Sequence, residues 1–350
     1  VTHYAAYLDA VQKTVNDIAN TEINVAGSGS AFESWYSGRK YQTSPTYHTM
    51  ETCVTFTWMQ LCDKLLALTG NPFYADQIEK SLYNALMAAL KDDASQIAKY
   101  SPMEGHRCEG EEQCGMHINC CNANGPRAFA LIPDFAVKKM GNEVYVNYYG
   151  DMSASLENGH NKVLVKQHTT YPVSNVIDIT IDVTKENVFG LHLRVPVWSA
   201  QTVITLNGEE LKDICPGTYH AITRKWKKGD HIQIILDMPA RLLEQNQMQA
   251  IVRGPIVLAR DSRFNDGFVD ETLVVDSEDG IVKAEVDSVP GFAWMRLKVP
   301  VTVGTDLEGV GMYRNISFCD FASAGNTWDK QVRYRVWIPR TLDVKKGHLK

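Results

Sequence analysis

The chain has 350 residues, 44% of them hydrophobic, and a formal net charge of -6. This describes a globular protein of two or three domains at roughly 100–200 residues each. With a weak acidic balance, no Lys/Arg run and no interleaved aromatic-basic stretch, nucleic acid is set aside as a partner, and no apolar run approaches the ~20 residues of a membrane span.

Val1 opens inside a helical pattern without an initiator Met or a signal-type apolar region, so the sequence reads as a mature or truncated piece. Residues 4–18 place Tyr4, Leu8, Val11 and Val15 on one helical stripe. Residues 47–68 repeat it with Val54, Trp58, Leu61, Cys62, Leu65 and Leu68, and Gly70 stops the helix. Asn71 caps the next helix, which has Pro72 at its first position and runs through Ile78, Leu82, Leu86 and Leu90 to the Asp92-Asp93 turn. A polar, Gly- and Cys-containing stretch over 94–119 leads to a helix over 123–140, kinked or interrupted at Pro133.

After Gly141 the pattern changes to alternation of period two, over 144–146, 162–166, 176–183, 192–197, 202–206 and 231–236, with turns at Asn207-Gly208 and Gly229-Asp230. This predicts an antiparallel β region, most simply a sandwich. A second β segment starts near Gln249 and continues past Gly280, with a late strand over 332–338. The few N-terminal helices, joined by long cysteine-rich loops, fit the tail of a larger helical domain.

Eight cysteines are too sparse for a disulfide scaffold, yet Cys53, Cys108, Cys114, Cys120 and Cys121 fall in the same third as Cys62. Such clustering argues for a site, whereas Cys215 and Cys319 read as inert core residues. Three thiols and a carboxylate, Cys53, Cys120, Cys121 and Glu51, make a complete zinc ligand set, with thiolates at about 2.3 Å and a carboxylate oxygen at about 2.0–2.2 Å from the ion. Positions i and i+2 do not share a helix face, so Glu51 and Cys53 converge only in an irregular first turn. Adjacent Cys120 and Cys121 need a bent backbone, which the following Asn, Gly and Pro residues allow. Cys114 and His117 are rival ligands, and buried thiols beside a solvated glutamate are the plain alternative. A thiol at a helix N-terminus is stabilised as thiolate, which makes Cys120 a candidate nucleophile; from spacing alone a structural zinc is favoured over a catalytic one.

Glu33, in Ala31-Phe32-Glu33-Ser34-Trp35-Tyr36, and Glu22 are the candidate acids upstream. Glu33 sits among aromatics, which favour a protonated carboxyl, and Trp35 and Tyr36 offer faces to a sugar ring. His48, His106 and His117 are candidate ligand contacts that read equally as ordinary polar residues.

These residues in this order resemble glycoside hydrolase family 127, the β-L-arabinofuranosidase-like proteins. The resemblance is carried by Glu51-Thr52-Cys53, by Asn71-Pro72-Phe73-Tyr74-Ala75-Asp76 and Glu79-Lys80-Ser81-Leu82-Tyr83-Asn84, and by Cys120-Cys121. In the β region it continues through Leu193-Arg194-Val195-Pro196-Val197-Trp198-Ser199, Asn207-Gly208, Trp226-Lys227-Lys228-Gly229-Asp230 and Arg253-Gly254-Pro255-Ile256-Val257. It implies an α + β multidomain fold, the C-terminal helices of an (α/α)6 barrel followed by antiparallel β-sandwich domains. The expected division is 1–142 for the barrel part, 143–247 for one sandwich and 248–350 for a second, whose last strand is able to return to the first. The N-terminal half of the barrel would lie outside this sequence.

For function, the resemblance implies a retaining glycosidase acting on plant-derived oligosaccharides or polysaccharides. Zinc would be held by Glu51, Cys53, Cys120 and Cys121, Cys120 would be the nucleophile, Glu33 the acid and base, and Trp35 and His48 substrate contacts. It favours a periplasmic or secreted location. Asn122-Ala123-Asn124-Gly125-Pro126-Arg127 after the paired cysteines, and residues 42–48 before the Glu-Thr-Cys triplet, depart from the family pattern, so the sugar pocket is expected to differ. The competing reading is a non-catalytic carbohydrate-binding protein with a structural zinc site. A thiol-redox protein finds no Cys-x-x-Cys motif to support it.

Overall fold

A computed structural model describes residues 5–44, 47–112, 115–158, 161–287, 291–305, 311–340, 342–343 and 348–349. Among the described residues the helices are α1 (Ala5–Thr21), α2 (Gly38–Tyr41), α3 (Thr52–Thr69), α4 (Pro72–Ser81) and α5 (Cys121–Ala136), and none is long and apolar enough to cross a membrane. The remaining regular structure is almost all antiparallel sheet. Tyr4, the predicted start of the first helix, lies outside the described residues.

Each helix boundary has a local cause. Helix α3 starts at Thr52, later than the predicted 47, because residues 49 and 51 are engaged in β-bridges, Ala31↔Thr49 and Glu51↔Tyr100. Asn71 caps α4 through its Oδ1, which accepts the Phe73 N–H at 3.0 Å. Past Ser81 the helix widens into a π turn, Leu82–Leu86. There the Asn84 amide donates to the carbonyls of Lys80 and Pro255, both at 2.8 Å, and accepts the Val257 N–H at 2.8 Å. The side chain thus occupies a helix carbonyl and satisfies a strand edge together, which accounts for the local register change.

Residues 137–140, predicted as helix, are strand. Val137–Met140 turns at Gly141 (φ 62°) and pairs with Glu143–Val146 as a tight hairpin, so α5 ends at Ala136 and passes through Pro133 without interruption. One strand pair departs from the antiparallel expectation: Glu143–Val146 runs parallel to Asn187–Val195. The predicted late strand over 332–338 is two short pieces, Tyr334–Arg335 and Ile338–Pro339. The long strands Thr218–Trp226, Arg296–Thr305 and Gly311–Asp320 carry too many polar or irregular positions to show a clean alternation.

The chain divides into two compact units. The first comprises residues 1–60, 80–128 and 239–350 and contains a twelve-stranded sheet. Its core packs Met50, Ala85, Met103, Val257, Phe321, Tyr334 and Trp337 together, so the residue immediately before Glu51 is anchored in buried apolar surface. In the same unit Arg107 is buried and donates to three carbonyls, those of Ala324 and Phe321 at 2.5 Å and that of Ala88. Its guanidinium lies over both the Phe321 and Tyr334 rings, 4.7 Å from each centroid.

The second unit, residues 61–79 and 129–238, holds a four-stranded and a six-stranded sheet. Asn207 (φ 52°) and Gly208 (φ 88°) make the left-handed turn of the hairpin that pairs Val203–Leu206 with Glu209–Glu210. Arg194 is buried and shared by two carboxylates, Asp76 and Glu79, each at 2.5 Å. Tyr171 Oη donates to Glu79 at 2.7 Å, and Tyr149 Oη to the Arg194 carbonyl at 2.5 Å. Burial pushes Asp76 up to about 6, the Arg194 charge opposing and the Glu79 charge adding to it.

Candidate functional site

Two helix N-termini meet at the cysteines. Glu51 immediately precedes α3, with its carbonyl accepting the Thr55 N–H at 3.0 Å, and Cys53 lies in the first turn. Thr52 fixes that turn from outside, its N–H donating to the Lys99 carbonyl at 2.9 Å and its hydroxyl to the Ala98 carbonyl at 2.8 Å. Cys120 immediately precedes α5, and Cys121 is its first residue. Asn119 caps that helix by accepting the Cys121 N–H on Oδ1 at 3.0 Å. The irregular first turn that Glu51 and Cys53 require, and the bend that Cys120 and Cys121 require, are both helix starts. Each presents the positive end of a helix dipole to the thiols.

One ligand atom from each of Glu51, Cys53, Cys120 and Cys121 lies within 4.8 Å of all the others. Cys53 Sγ is 3.0 Å from Cys120 Sγ and 3.3 Å from Cys121 Sγ. Glu51 Oε1 is 3.6 Å from Cys120 Sγ and 3.9 Å from Cys121 Sγ. Asn124, one turn into α5, donates to Cys53 Sγ at 3.1 Å. Glu51 and Cys121 are buried, and Cys53 and Cys120 are partly open.

Four acidic groups this close cannot all ionise without a cation. The protein alone settles on one thiolate: hydrogen bonds from Cys121, Asn124 and Cys120 hold Cys53 down to about 5 against burial. Burial and the Cys53 charge then push Glu51 up to about 7. Burial and the contact with Cys53 push Cys120 up to about 12, and the Cys121 thiol is held higher still. Soft sulfur ligands with one carboxylate, converging at a partly open point, fit a tetrahedral N/S/O metal ion such as zinc, which would relieve this crowding.

The candidate acid is carried on an adjoining turn. Glu33 (φ 65°) lies in a turn bridged at Ala31↔Ser34, and Phe32 N donates to the His48 carbonyl at 3.0 Å. From the other side, the Glu51↔Tyr100 bridge brings Lys99 alongside, and its Nζ reaches Glu33 Oε1 at 3.0 Å. Lys99 is buried, whereas Glu33 is half-exposed. The expected aromatic shelter around Glu33 is thus an ion pair with a buried lysine, and Phe32 stacks on His48 at 4.6 Å instead.

Trp35 is half-exposed, as a sugar platform requires. His48 pairs with Glu111 at 2.7 Å and meets the Tyr100 ring edge-on at 5.1 Å. His117 is largely exposed and pairs with Glu112 at 3.0 Å, outside the thiol cluster, and Cys114 lies outside the described residues. Glu22 accepts the Tyr36 and Gly38 N–H groups, both at 3.1 Å, a structural use. Cys108 contacts the Tyr47 hydroxyl. Cys319 is buried as expected, but Cys215 is exposed, because it falls in the irregular stretch before Thr218–Trp226 rather than in a strand. Lys99, Tyr100 and Asn124 had no sequence signal of their own, since each meets the site through a partner distant in the chain.

Residues 1–134 match the family model described as the beta-L-arabinofuranosidase GH127 catalytic domain, and residues 143–238 the GH127 middle domain. A non-reducing end beta-L-arabinofuranosidase of Bifidobacterium longum is 24% identical over 245 residues, 62% of this chain and 36% of the relative. Among solved structures, a GH127 beta-arabinofuranosidase aligns over 96% of this chain and 57% of its own at TM-score 0.80 and 21% identity. A GH127 beta-L-arabinofuranosidase from Geobacillus stearothermophilus T6 aligns over 93% and 55% at TM-score 0.76 and 19% identity. The chain therefore spans 36% of the curated relative and just over half of these two structures. Two successive models of one family, together with the fold shared with its solved members, establish that this chain belongs to glycoside hydrolase family 127.

Proposed function

We propose that the chain is part of a retaining glycoside hydrolase that releases non-reducing-end L-arabinofuranosyl or related furanosyl groups from plant oligosaccharides or polysaccharides. The observation that carries this reading is the convergence of Glu51, Cys53, Cys120 and Cys121 within 4.8 Å. These four would hold a zinc ion, which when bound keeps thiols deprotonated at neutral pH.

Cys120 is the more accessible of the paired thiols and sits at the N-terminus of α5. Its sulfur attacks the anomeric carbon, and Glu33 gives a proton to the departing glycosidic oxygen. Glu33 then takes a proton from water, which displaces the Cys120 sulfur and returns the sugar with its original configuration. Lys99 orients the Glu33 carboxylate through the 3.0 Å contact, and Trp35 and His48 border the sugar. Under this reading the helices are the end of an (α/α)6 barrel, 143–247 and 248–350 are β-sandwich domains following a barrel part at 1–142, and the protein works in the periplasm or outside the cell.

The test is Cys120→Ser assayed against an aryl L-arabinofuranoside, with sugar binding followed in parallel. Loss of hydrolysis with binding retained supports the nucleophile. Hydrolysis that survives the change removes Cys120 from the chemistry.

A further inference from the structure

A cleft of about 720 Å³ lies in the first unit, bordered by Glu104, Asn265, Phe268, Asp270, Arg333 and Arg335. That volume is in the roughly 300–1,000 Å³ range of small-molecule sites. Phe268 is 80% exposed. A lone exposed aromatic is ordinary on a protein surface, but this one shares a cleft with two carboxylates, an amide and two guanidinium groups. An apolar face beside planar hydrogen-bonding groups matches a sugar, which offers a C–H face and a rim of hydroxyls.

The polar walls are pre-formed. Arg335 is held by Glu104 at 3.0 Å and donates through Nε to the Trp337 carbonyl at 2.7 Å. Ser262 and Arg333 tie their segments together, Ser262 N donating to the Arg333 carbonyl and Arg333 N to Ser262 Oγ, both at 2.9 Å. Between them the Tyr334 hydroxyl is anchored on the Pro102 carbonyl at 2.6 Å. Groups already fixed do not pay an ordering cost when a ligand arrives.

A run of contacts connects this cleft to the candidate acid. Arg333 Nη1 is 3.3 Å from His106 Nδ1, and the His106 ring is 6.5 Å from that of Tyr47. Tyr47 lies 5.0 Å from His48, which stacks on Phe32, the neighbour of Glu33. An acid protonates the leaving oxygen, so the leaving group lies on its side of the scissile bond. We propose that the cleft beside Phe268 is a saccharide subsite that receives the leaving-group portion of a glycan substrate; this rests on the reading of Glu33 as the acid. Remote binding of this kind selects longer substrates.

The experiment is calorimetric titration of the Cys120→Ser protein with an L-arabinofuranosyl trisaccharide and with methyl L-arabinofuranoside, repeated in combination with Phe268→Ala and, separately, Asp270→Asn. The trisaccharide is expected to bind at least tenfold more tightly than the methyl glycoside, and Phe268→Ala to erase that advantage. Equal affinity for the two ligands, or an advantage that persists in both the Phe268→Ala and the Asp270→Asn proteins, overturns the subsite. Trisaccharide binding that depends on Phe268, in a protein whose Cys120-bearing form hydrolyses nothing, overturns the leaving-group assignment and the glycosidase reading while the cleft itself stands as a sugar site.

Discussion

Lys99 joins the two halves of the candidate site: its Nζ lies 3.0 Å from Glu33 Oε1, and its carbonyl oxygen is 3.7 Å from the Cys121 thiol. Because the side chain is buried, its charge has little water to compete for it, and the contact fixes where the Glu33 carboxylate sits. Lys99→Met is expected to lower kcat on an aryl L-arabinofuranoside by roughly 10–100-fold with little change in KM, the scale of a misplaced acid-base group. Lys99→Arg should recover part of the loss. A Lys99→Met enzyme with unaltered kcat would show that Glu33 needs no such support.

Metal content gives the most direct check of the thiol cluster. Purified protein should contain about one zinc per chain by elemental analysis, and a chelator should unmask about three thiols to a colorimetric reagent. Cys53→Ser should lose the ion. Metal-free protein whose thiols react fully before chelation is incompatible with the proposed centre.

Asp76 makes a pH prediction with a definite sign. Its folded value of about 6 lies above the ordinary 3.8, so between these limits the folded protein binds more protons than the unfolded chain. The contribution of Asp76 to stability is then fully present below about pH 4 and is lost as pH rises through about 6. The denaturation free energy of wild type minus that of Asp76→Asn should fall across that window by on the order of 1–3 kcal/mol. A difference that rises with pH would mean that the Arg194 charge outweighs burial.

Arg107 is an anchor that the sequence conceals. Replacing it with Met removes the guanidinium donor from three buried carbonyls, and urea denaturation should report a loss of about 3 kcal/mol or more. A loss under 1 kcal/mol would imply that the segment repacks or admits water.

What the sequence made legible was whatever depends on neighbours in the chain. Asn71 and Pro72 marked the start of α4, Asn207-Gly208 marked its hairpin, and residues 176–183 alternated cleanly enough to give both strand ends. Glu51, Cys53, Cys120 and Cys121 were found together because thiols are scarce and chemically specific. Lys99 was illegible, because a lysine in a polar stretch gives no sign that a bridge between Glu51 and Tyr100 will bury it beside Glu33. Residues 137–140 were misread because the helical stripe of α5 carries on into them, and only pairing with Glu143–Val146 makes them strand. Cys215 was misplaced for a similar reason: an irregular connection within β-rich sequence looks like strand until its partners are known.

Glu104–Gly105 pairs with Tyr334–Arg335, and the Met103 carbonyl accepts the Val336 N–H at 2.9 Å. The stretch between the Glu-Thr-Cys triplet and the paired cysteines is therefore stitched to residues more than two hundred positions downstream. On a ribosome the thiols emerge long before that partner strand does, and Glu104–Gly105 lacks its strand partner in the interval. Closing so large a loop is slow. Synthesis thus passes through a period in which the ligands are present and their frame is not, and a protein expressed without the 334–336 segment would stay in that state.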